Sequence, residues 1–307
     1  MIYTVTLSPA LDYLVWLDQF EEGGLSRTEK TAFRAGGKGI NVSVVLSRLG
    51  FKSICLGFTA GFVGTELIRM LNADGISHDF ITVEDGCSRI NVKIKSNTES
   101  EINAYGPRIS GKELDLLIKQ AEKLESGDIL VLSGNPPKNV PKDVYSALID
   151  AVAGKKVRIV LDTSGKHLLS ALEKHPWLIK PNLTELEEVF KTKFDSMEQI
   201  AEAALKLREK GAENVLVSLG AEGALLAADD GCVYTCAIPD GQLIDSTGAG
   251  DSMVAGFIAK DLAGGSREEC IRYAVACGCA SSYSYDLLEC SFLEQVYCQT
   301  PLPVKFF

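Results

Sequence analysis

Gly248, Ala249 and Gly250 stand immediately ahead of Asp251 in the stretch Ile244-Asp245-Ser246-Thr247-Gly248-Ala249-Gly250-Asp251-Ser252-Met253-Val254-Ala255-Gly256-Phe257. Small residues let the backbone approach a ligand closely, and the apolar run after Asp251 begins a helix whose first amide groups have no partner inside it. Such a turn attracts an anion. A carboxylate beside a bound anion is out of place unless it takes a proton from a nucleophile attacking a phosphate. The cheaper account makes Asp251 a helix cap on a glycine-rich turn, and the motif by itself does not separate the two. A dinucleotide fingerprint would need glycine at Met253, and the chain contains no G-x-x-x-x-G-K-[ST] sequence.

A second glycine turn, Arg34-Ala35-Gly36-Gly37-Lys38-Gly39-Ile40-Asn41, also precedes a helical pattern. Lys38 and Asn41 there would suit hydroxyls and an anionic group, whereas a tight turn alone explains the glycines but not the lysine. In Ser88-Arg89-Ile90-Asn91-Val92-Lys93-Ile94-Lys95 a period of two puts Arg89, Asn91, Lys93 and Lys95 on one strand face. A solvated outer face is the default for such a row; a flap closing on a phosphate is the functional reading. Asn182 and Glu185 share one helical face. A capping box explains the pair, and so does a hold on metal-bound water.

These residues need a frame, and the pattern supplies one. Residues 2–7 read as a buried strand, 12–18 as a strand leaving the main sheet, 53–57 and 61–71 as strand and helix, 76–83 as a short strand, and 88–95 with 101–105 as a hairpin. From about 112 onward helices (112–124, 141–153, and one containing Glu185) alternate with apolar strands (128–132, 157–161, 177–180, 214–218), followed by a hairpin through 224–227 and helices 267–283 and 286–298. Polar loops at the carboxyl ends of these strands predict a parallel sheet with its ligand crevice along that edge, and Asn135 lies on one of those loops.

Composition bounds the partners. The 307 residues are 46% hydrophobic and 23% charged, enough for one large domain with at most a small appendage. A net charge of −10 argues against nucleic acid, so an anionic substrate needs a local basic patch. No apolar run approaches the ~20 residues of a membrane span, and the N-terminus shows no signal, so a cytoplasmic protein is expected. The nine cysteines, with no C-x-x-C, read as reduced packing residues, and His78, His167 and His175 lack metal spacing.

Taken in order, the motifs resemble the ribokinase-like (PfkB) carbohydrate kinases over essentially the whole chain. The resemblance rests on Met1–Leu7 with Pro9–Tyr13, Gly36–Val42, Arg89–Lys93, Glu101–Asn103, Gly106-Pro107, Leu161–Gly165, Lys180–Asn182 with Glu185, Val217–Gly220 and Gly248–Ser252. It implies an α/β, three-layer αβα fold with a mostly parallel sheet and a small β lid, a single domain over 1–307 with the lid formed by about 10–33 and 87–105. It implies ATP-dependent phosphorylation of a ketohexose monophosphate, fructose 1-phosphate first, with tagatose 6-phosphate as the alternative. By the same resemblance Asp12, Gly37, Lys38, Asn41, Arg89, Asn91, Lys93 and Asn135 bind substrate. Asn182, Ser218, Gly220, Gly223, Gly248 and Gly250 bind nucleotide, and Asn182 with Glu185 organises Mg²⁺ through water. Gly248, Ala249 and Gly250 form the anion hole and Asp251 is the base. A homodimer through the lid, with Arg27 reaching the neighbour's site, and a monovalent cation near Asp245 complete the expectation. Ser8 stands where relatives usually carry Asn, Asn135 where they often carry Ser, and Thr247 where Val is frequent; the first two bear on substrate choice. A reading of another class, a sugar-phosphate-binding regulator without catalysis, has to set aside Asp251 and its glycines.

Overall fold

The computed structural model describes residues 1–138, 140–141 and 143–306. Along the chain, β1 (Ile2–Thr6) leads to β2 (Ala10–Trp16), β3 (Lys30–Gly36), α1 (Lys38–Arg48), β4 (Ser53–Ala60), α2 (Gly61–Ala73), β5 (Ser77–His78) and β6 (Ile81–Val83). Then come β7 (Arg89–Lys95), β8 (Ser100–Asn103), α3 (Gly111–Ala121), β9 (Ile129–Ser133), α4 (Val144–Ala151), β10 (Arg158–Asp162), α5 (Gly165–Leu172) and β11 (Leu178–Ile179). The last third holds α6 (Leu183–Phe190), α7 (Met197–Glu209), β12 (Asn214–Ser218), β13 (Ala224–Ala227), β14 (Val233–Cys236), α8 (Ala249–Leu262), α9 (Arg267–Ser282), α10 (Cys290–Gln299) and β15 (Val304–Lys305).

Among the described residues, the strands form an 11-stranded sheet in the order β15-β14-β13-β12-β11-β10-β9-β1-β4-β5, with β6 also pairing β4, and a separate 4-stranded sheet in the order β3-β2-β7-β8. From β12 to β5 the large sheet is parallel; β13, β14 and β15 extend it antiparallel. Its central strands are apolar without a break because each serves two cores. In β9, Leu130 and Leu132 enter one core with α3, α4, α5, α6 and α7, while Ile129 and Val131 enter the other with α1, α8, α9 and α10. The result is three layers, helices on both faces of a mostly parallel sheet. No helix among the described residues is long and apolar enough to cross a membrane.

Several boundaries move. The helix expected over 141–153 begins at Val144, with Lys142 outside the described residues, and the one expected from 286 begins at Cys290. The single strand expected over 76–83 is two, β5 and β6. The residue pattern places no strand at β3, whose first residues fall within the lid expected over 10–33. This strand pairs antiparallel with β2 from Lys30↔Trp16 to Gly36↔Ala10, while β7 pairs parallel with β2 on its other side.

Candidate active site

The turn before α8 is built as the glycines require. Gly248 has a left-handed backbone (φ +79°), and a Cβ there would lie 2.5 Å from Leu287 Cδ2 and 3.6 Å from Asn41 Nδ2. Ala249 N–H bonds back to Ser246 O at 3.2 Å and the helical ladder starts with Ser252 N–H to Gly248 O at 2.9 Å, so the amides of Gly250 and Asp251 precede it. Asp251 is buried in the first turn, where its Oδ2 accepts a hydrogen bond from Asn41 Nδ2 at 2.7 Å. The two glycine turns, 210 residues apart, are thereby face to face. Gly37 and Gly39 let α1 close against β1: added Cβ atoms would meet Thr6 Cγ2 and Thr6 Oγ1, each at 2.6 Å.

Sequence reasoning missed the charge cluster beneath this junction. Asp162, at the end of β10, is fully buried, with Lys38 Nζ at 3.2 Å and Lys180 Nζ at 3.4 Å from its Oδ1. Among the described residues its Oδ2 has no hydrogen-bond partner. Lys180 itself is buried, and its ammonium would lie 3.0 Å from a Cβ on Gly250. Burial disfavours the Asp162 carboxylate, but Lys180 and Lys38 outweigh it and hold its pKa below the ordinary value. Burial, then the negative charge of Asp162, pushes the Asp251 carboxyl up to about 7 against the opposing pull of Lys38, Asn41 and Lys180. Two nearby carboxylates are thus driven apart in pKa, one kept ionised and one poised near neutrality. The available signal was that Asp162 and Lys180 each end an apolar parallel strand on the crevice edge.

The second sheet brings its polar face inward. Asn91 and Lys93 are buried, and Asn91 Nδ2 donates to Asp12 Oδ1 at 2.8 Å while its own Oδ1 has no partner among the described residues. Lys93 Nζ lies 3.4 Å from Asp12 Oδ2 and 3.6 Å from Glu101 Oε1. Lys95 pairs with Glu99 and Asp245. The row read from the sequence as solvated by default is therefore covered, and two of its three cations are matched by acids. Arg89 differs: its Nε donates to Ser8 O at 3.1 Å, and among the described residues no carboxylate forms an ion pair with it. Gly36 is tight against this group, since a Cβ there would meet Asp12 Oδ2 at 2.6 Å.

On the far side of the turn opens a cleft of about 520 Å³, lined by Asn182, Ser218, Gly220, Gly223, Ala249 and Gly250 at its polar end and by apolar side chains such as Ile238 and Val275 deeper in. Met253 and Gly278 pack closely at its floor, where a Cβ on Gly278 would meet Met253 Cγ at 2.7 Å. Asn182 and Glu185 form the capping box of α6: Asn182 Oδ1 accepts from Glu185 N–H at 2.8 Å and Glu185 Oε2 from Asn182 N–H at 2.9 Å. The box uses only one oxygen of Glu185, whose charge also acts on Lys38. Asn135 is tied across to the next strand end, its Oδ1 accepting from Thr163 Oγ1 at 2.9 Å and from Ser164 N–H at 3.1 Å. No group of three or more His, Cys, Asp and Glu among the described residues has a metal-site arrangement. Glu185, with one carboxylate oxygen outside the box, and Asn182 beside it still fit Mg²⁺, which takes one or two carboxylates and completes its shell with phosphate oxygens and water.

Residues 6–289 match the family described as pfkB family carbohydrate kinase. The 1-phosphofructokinase of Bacillus subtilis is 42% identical over 296 residues, covering 96% of this chain and 97% of its own. D-tagatose-1-phosphate kinase of Bacillus licheniformis is 38% identical over 300 residues, covering 97% and 98%. The crystal structure of Escherichia coli phosphofructokinase-2 in complex with substrates and products superposes with a TM-score of 0.92 at 29% identity, covering 97% of this chain and 98% of that one, and the same protein has a structure in complex with potassium. Because the match runs without interruption from the end of β1, through both glycine turns and the small sheet, to the loop ahead of α10, the chain belongs to the pfkB family of carbohydrate kinases.

Proposed function

We propose that this protein transfers the γ-phosphoryl group of ATP to the 6-hydroxyl of fructose 1-phosphate, giving fructose 1,6-bisphosphate and ADP. The observation that carries the reading is Asp251, buried beside the Gly248–Gly250 turn, near neutrality in pKa and held by Asn41. In the proposed reaction Asp251 takes the proton of the attacking hydroxyl as the O6–phosphorus bond forms and the bond to the β-phosphate oxygen breaks. The free amides of the turn and the Lys180 ammonium stabilise charge on the transferred group. Asp12 and Asn91, whose Oδ1 is an open acceptor, orient the sugar with Asn41 and Lys38. Arg89, the cation of the lid row that forms no ion pair with an acid among the described residues, receives the sugar's existing phosphate.

The apolar part of the 520 Å³ cleft suits a nucleotide base, with Asn182, Ser218, Gly220 and Gly223 on its polar side. Asn182 and Glu185, with Asp162 as a further carboxylate, would hold Mg²⁺ through water, and the ion would supply charge neutralisation for the phosphates of ATP. A monovalent cation near Asp245 would share that carboxylate with Lys95 and Arg34. Titrating activity with potassium at constant ionic strength decides whether one binds.

The relative named for tagatose 1-phosphate supports a second sugar. Tagatose 1-phosphate, rather than the 6-phosphate, would present the same C6 hydroxyl to Asp251, so the two substrates differ only in stereochemistry at the ring. A panel of free and phosphorylated ketohexoses with ATP and Mg²⁺ tests the proposal. Fructose 1-phosphate should show the highest kcat/KM; a higher value for tagatose 1-phosphate replaces the substrate, and no ADP formation with any member sinks the assignment. We further propose a homodimer through the outer face of the small sheet.

A further inference from the structure

The deeper question is what holds the anion turn in register with the lid, and it rests on the kinase reading above. Asp245, three residues before Gly248, is buried, and its Oδ1 accepts Thr247 N–H at 2.9 Å, fixing the backbone that enters the turn. The same carboxylate is gripped from the small sheet: Lys95 Nζ of β7 lies 3.1 Å from Oδ1 and Arg34 NH1 of β3 lies 3.8 Å from Oδ2. Arg34 also donates NH2 to Tyr285 O and lies 3.6 Å from Asp286 Oδ1. That loop is held from the other side by Arg48 of α1, whose NH1 donates to Leu287 O at 2.5 Å and to Leu288 O at 3.1 Å. Its Leu287 side chain is the one that would touch a Cβ on Gly248. Two lid cations thus end, through Asp245 and through the 285–287 loop, on the two sides of one glycine turn.

We infer that Lys95 and Arg34 are positioning residues, which set the anion turn for phosphoryl transfer through Asp245 only while the small sheet is seated on the large one. Neither needs to touch substrate. Partly buried ion pairs that share one buried carboxylate are suited to specifying one arrangement rather than to adding stability. Coupling through Asp245 makes the seating of the lid and the readiness of the turn a single event.

The test combines kinetics with hydrogen exchange. Lys95→Met should lower kcat about tenfold or more while the KM values for sugar phosphate and ATP stay within about threefold, and Lys95→Arg should restore most of the loss. Combined with Asp245→Asn, Lys95→Met should cost nothing further, because both act through one carboxylate. In protein without substrate, amide exchange over residues 244–250 should accelerate in Lys95→Met while residues 38–46 of α1 keep their protection. Should Asp245→Asn fail to fold, Arg34→Met takes its place and must accelerate the same segment. Multiplicative losses in the double variant, a change confined to KM, or unchanged exchange over 244–250 would overturn the inference. The exchange measurement involves no sugar, so it decides the latch even if the substrate proves to be another.

Discussion

Asp251 carries a measurable electrostatic signature. Its pKa of about 7 is raised from an ordinary 3.8 by burial and by Asp162, so a base that must be ionised should make kcat/KM fall with unit slope as pH drops below about 7 in the free enzyme. The sign for stability is opposite. A carboxyl with a raised folded pKa binds its proton more tightly in the native state, so stability declines as pH rises from about 4 to about 7. Asp251→Asn should therefore be more stable than the parent above pH 7, by on the order of 1–3 kcal/mol, and the gain should vanish near pH 4. The same variant should lose about 10²–10⁴ in kcat. Differential scanning at pH 5 and 8 with initial rates checks both, and equal stability at pH 8 would remove the electrostatic argument. Asp251 was legible because the glycines flag it within four positions of sequence. Asp162 and Lys180 were less so: what unites them is β10 lying beside β11, a fact of strand order that no local spacing encodes.

Two short elements separate scaffold from chemistry. In the α6 capping box, Glu185 can be replaced by Gln without losing the box, since either side chain accepts the Asn182 N–H. Glu185→Gln should leave unfolding free energy within about 0.5 kcal/mol of the parent. If the charge also serves Mg²⁺, the magnesium concentration for half-maximal rate should rise; unchanged magnesium dependence reduces Glu185 to a cap. At the head of α8, Gly248→Ala faces a left-handed φ, costing about 1 kcal/mol, and a contact 2.5 Å from Leu287 Cδ2. If the turn is the amide cradle proposed above, kcat should fall far more than stability, and adding Leu287→Ala should recover only the contact part. The sheet itself was readable from unbroken apolar runs, but β3 was not. Lys30-Thr31-Ala32-Phe33-Arg34-Ala35-Gly36 has few apolar residues, and it is a strand because β2 offers it an edge. Likewise β7 showed its alternation plainly, yet only its pairing with β2, which brings Asn91 opposite Asp12, tells which side faces the crevice.

The small sheet has two faces, and the molecule accounts for only part of the outer one. Toward α2 that outer face is covered, since Leu11 and Ile90 pack on Val63 and Leu67 of the helix. Two residues further along β2 and β7, on the same face, a row of directly paired residues runs across all four strands, Phe33–Tyr13–Val92–Ile102, in which Phe33 and Tyr13 stack at 4.7 Å. At its two ends Phe33 is 54% exposed and Ile102 62% exposed. A contiguous apolar row on a sheet is uncommon on a monomer's surface, and a second copy of the same row would cover it by two-fold symmetry. Phe33→Asp puts two carboxylates near the axis of such a dimer while leaving the core unchanged, so sedimentation velocity at micromolar concentration should shift from dimer to monomer, with melting temperature nearly preserved. Since the inner face of the same strands carries Asp12, Asn91 and Lys93, loss of the partner should also raise the KM for sugar phosphate more than that for ATP. A parent protein that sediments as a monomer, or a Phe33→Asp variant that stays dimeric, would show that this row is covered by something other than a second copy.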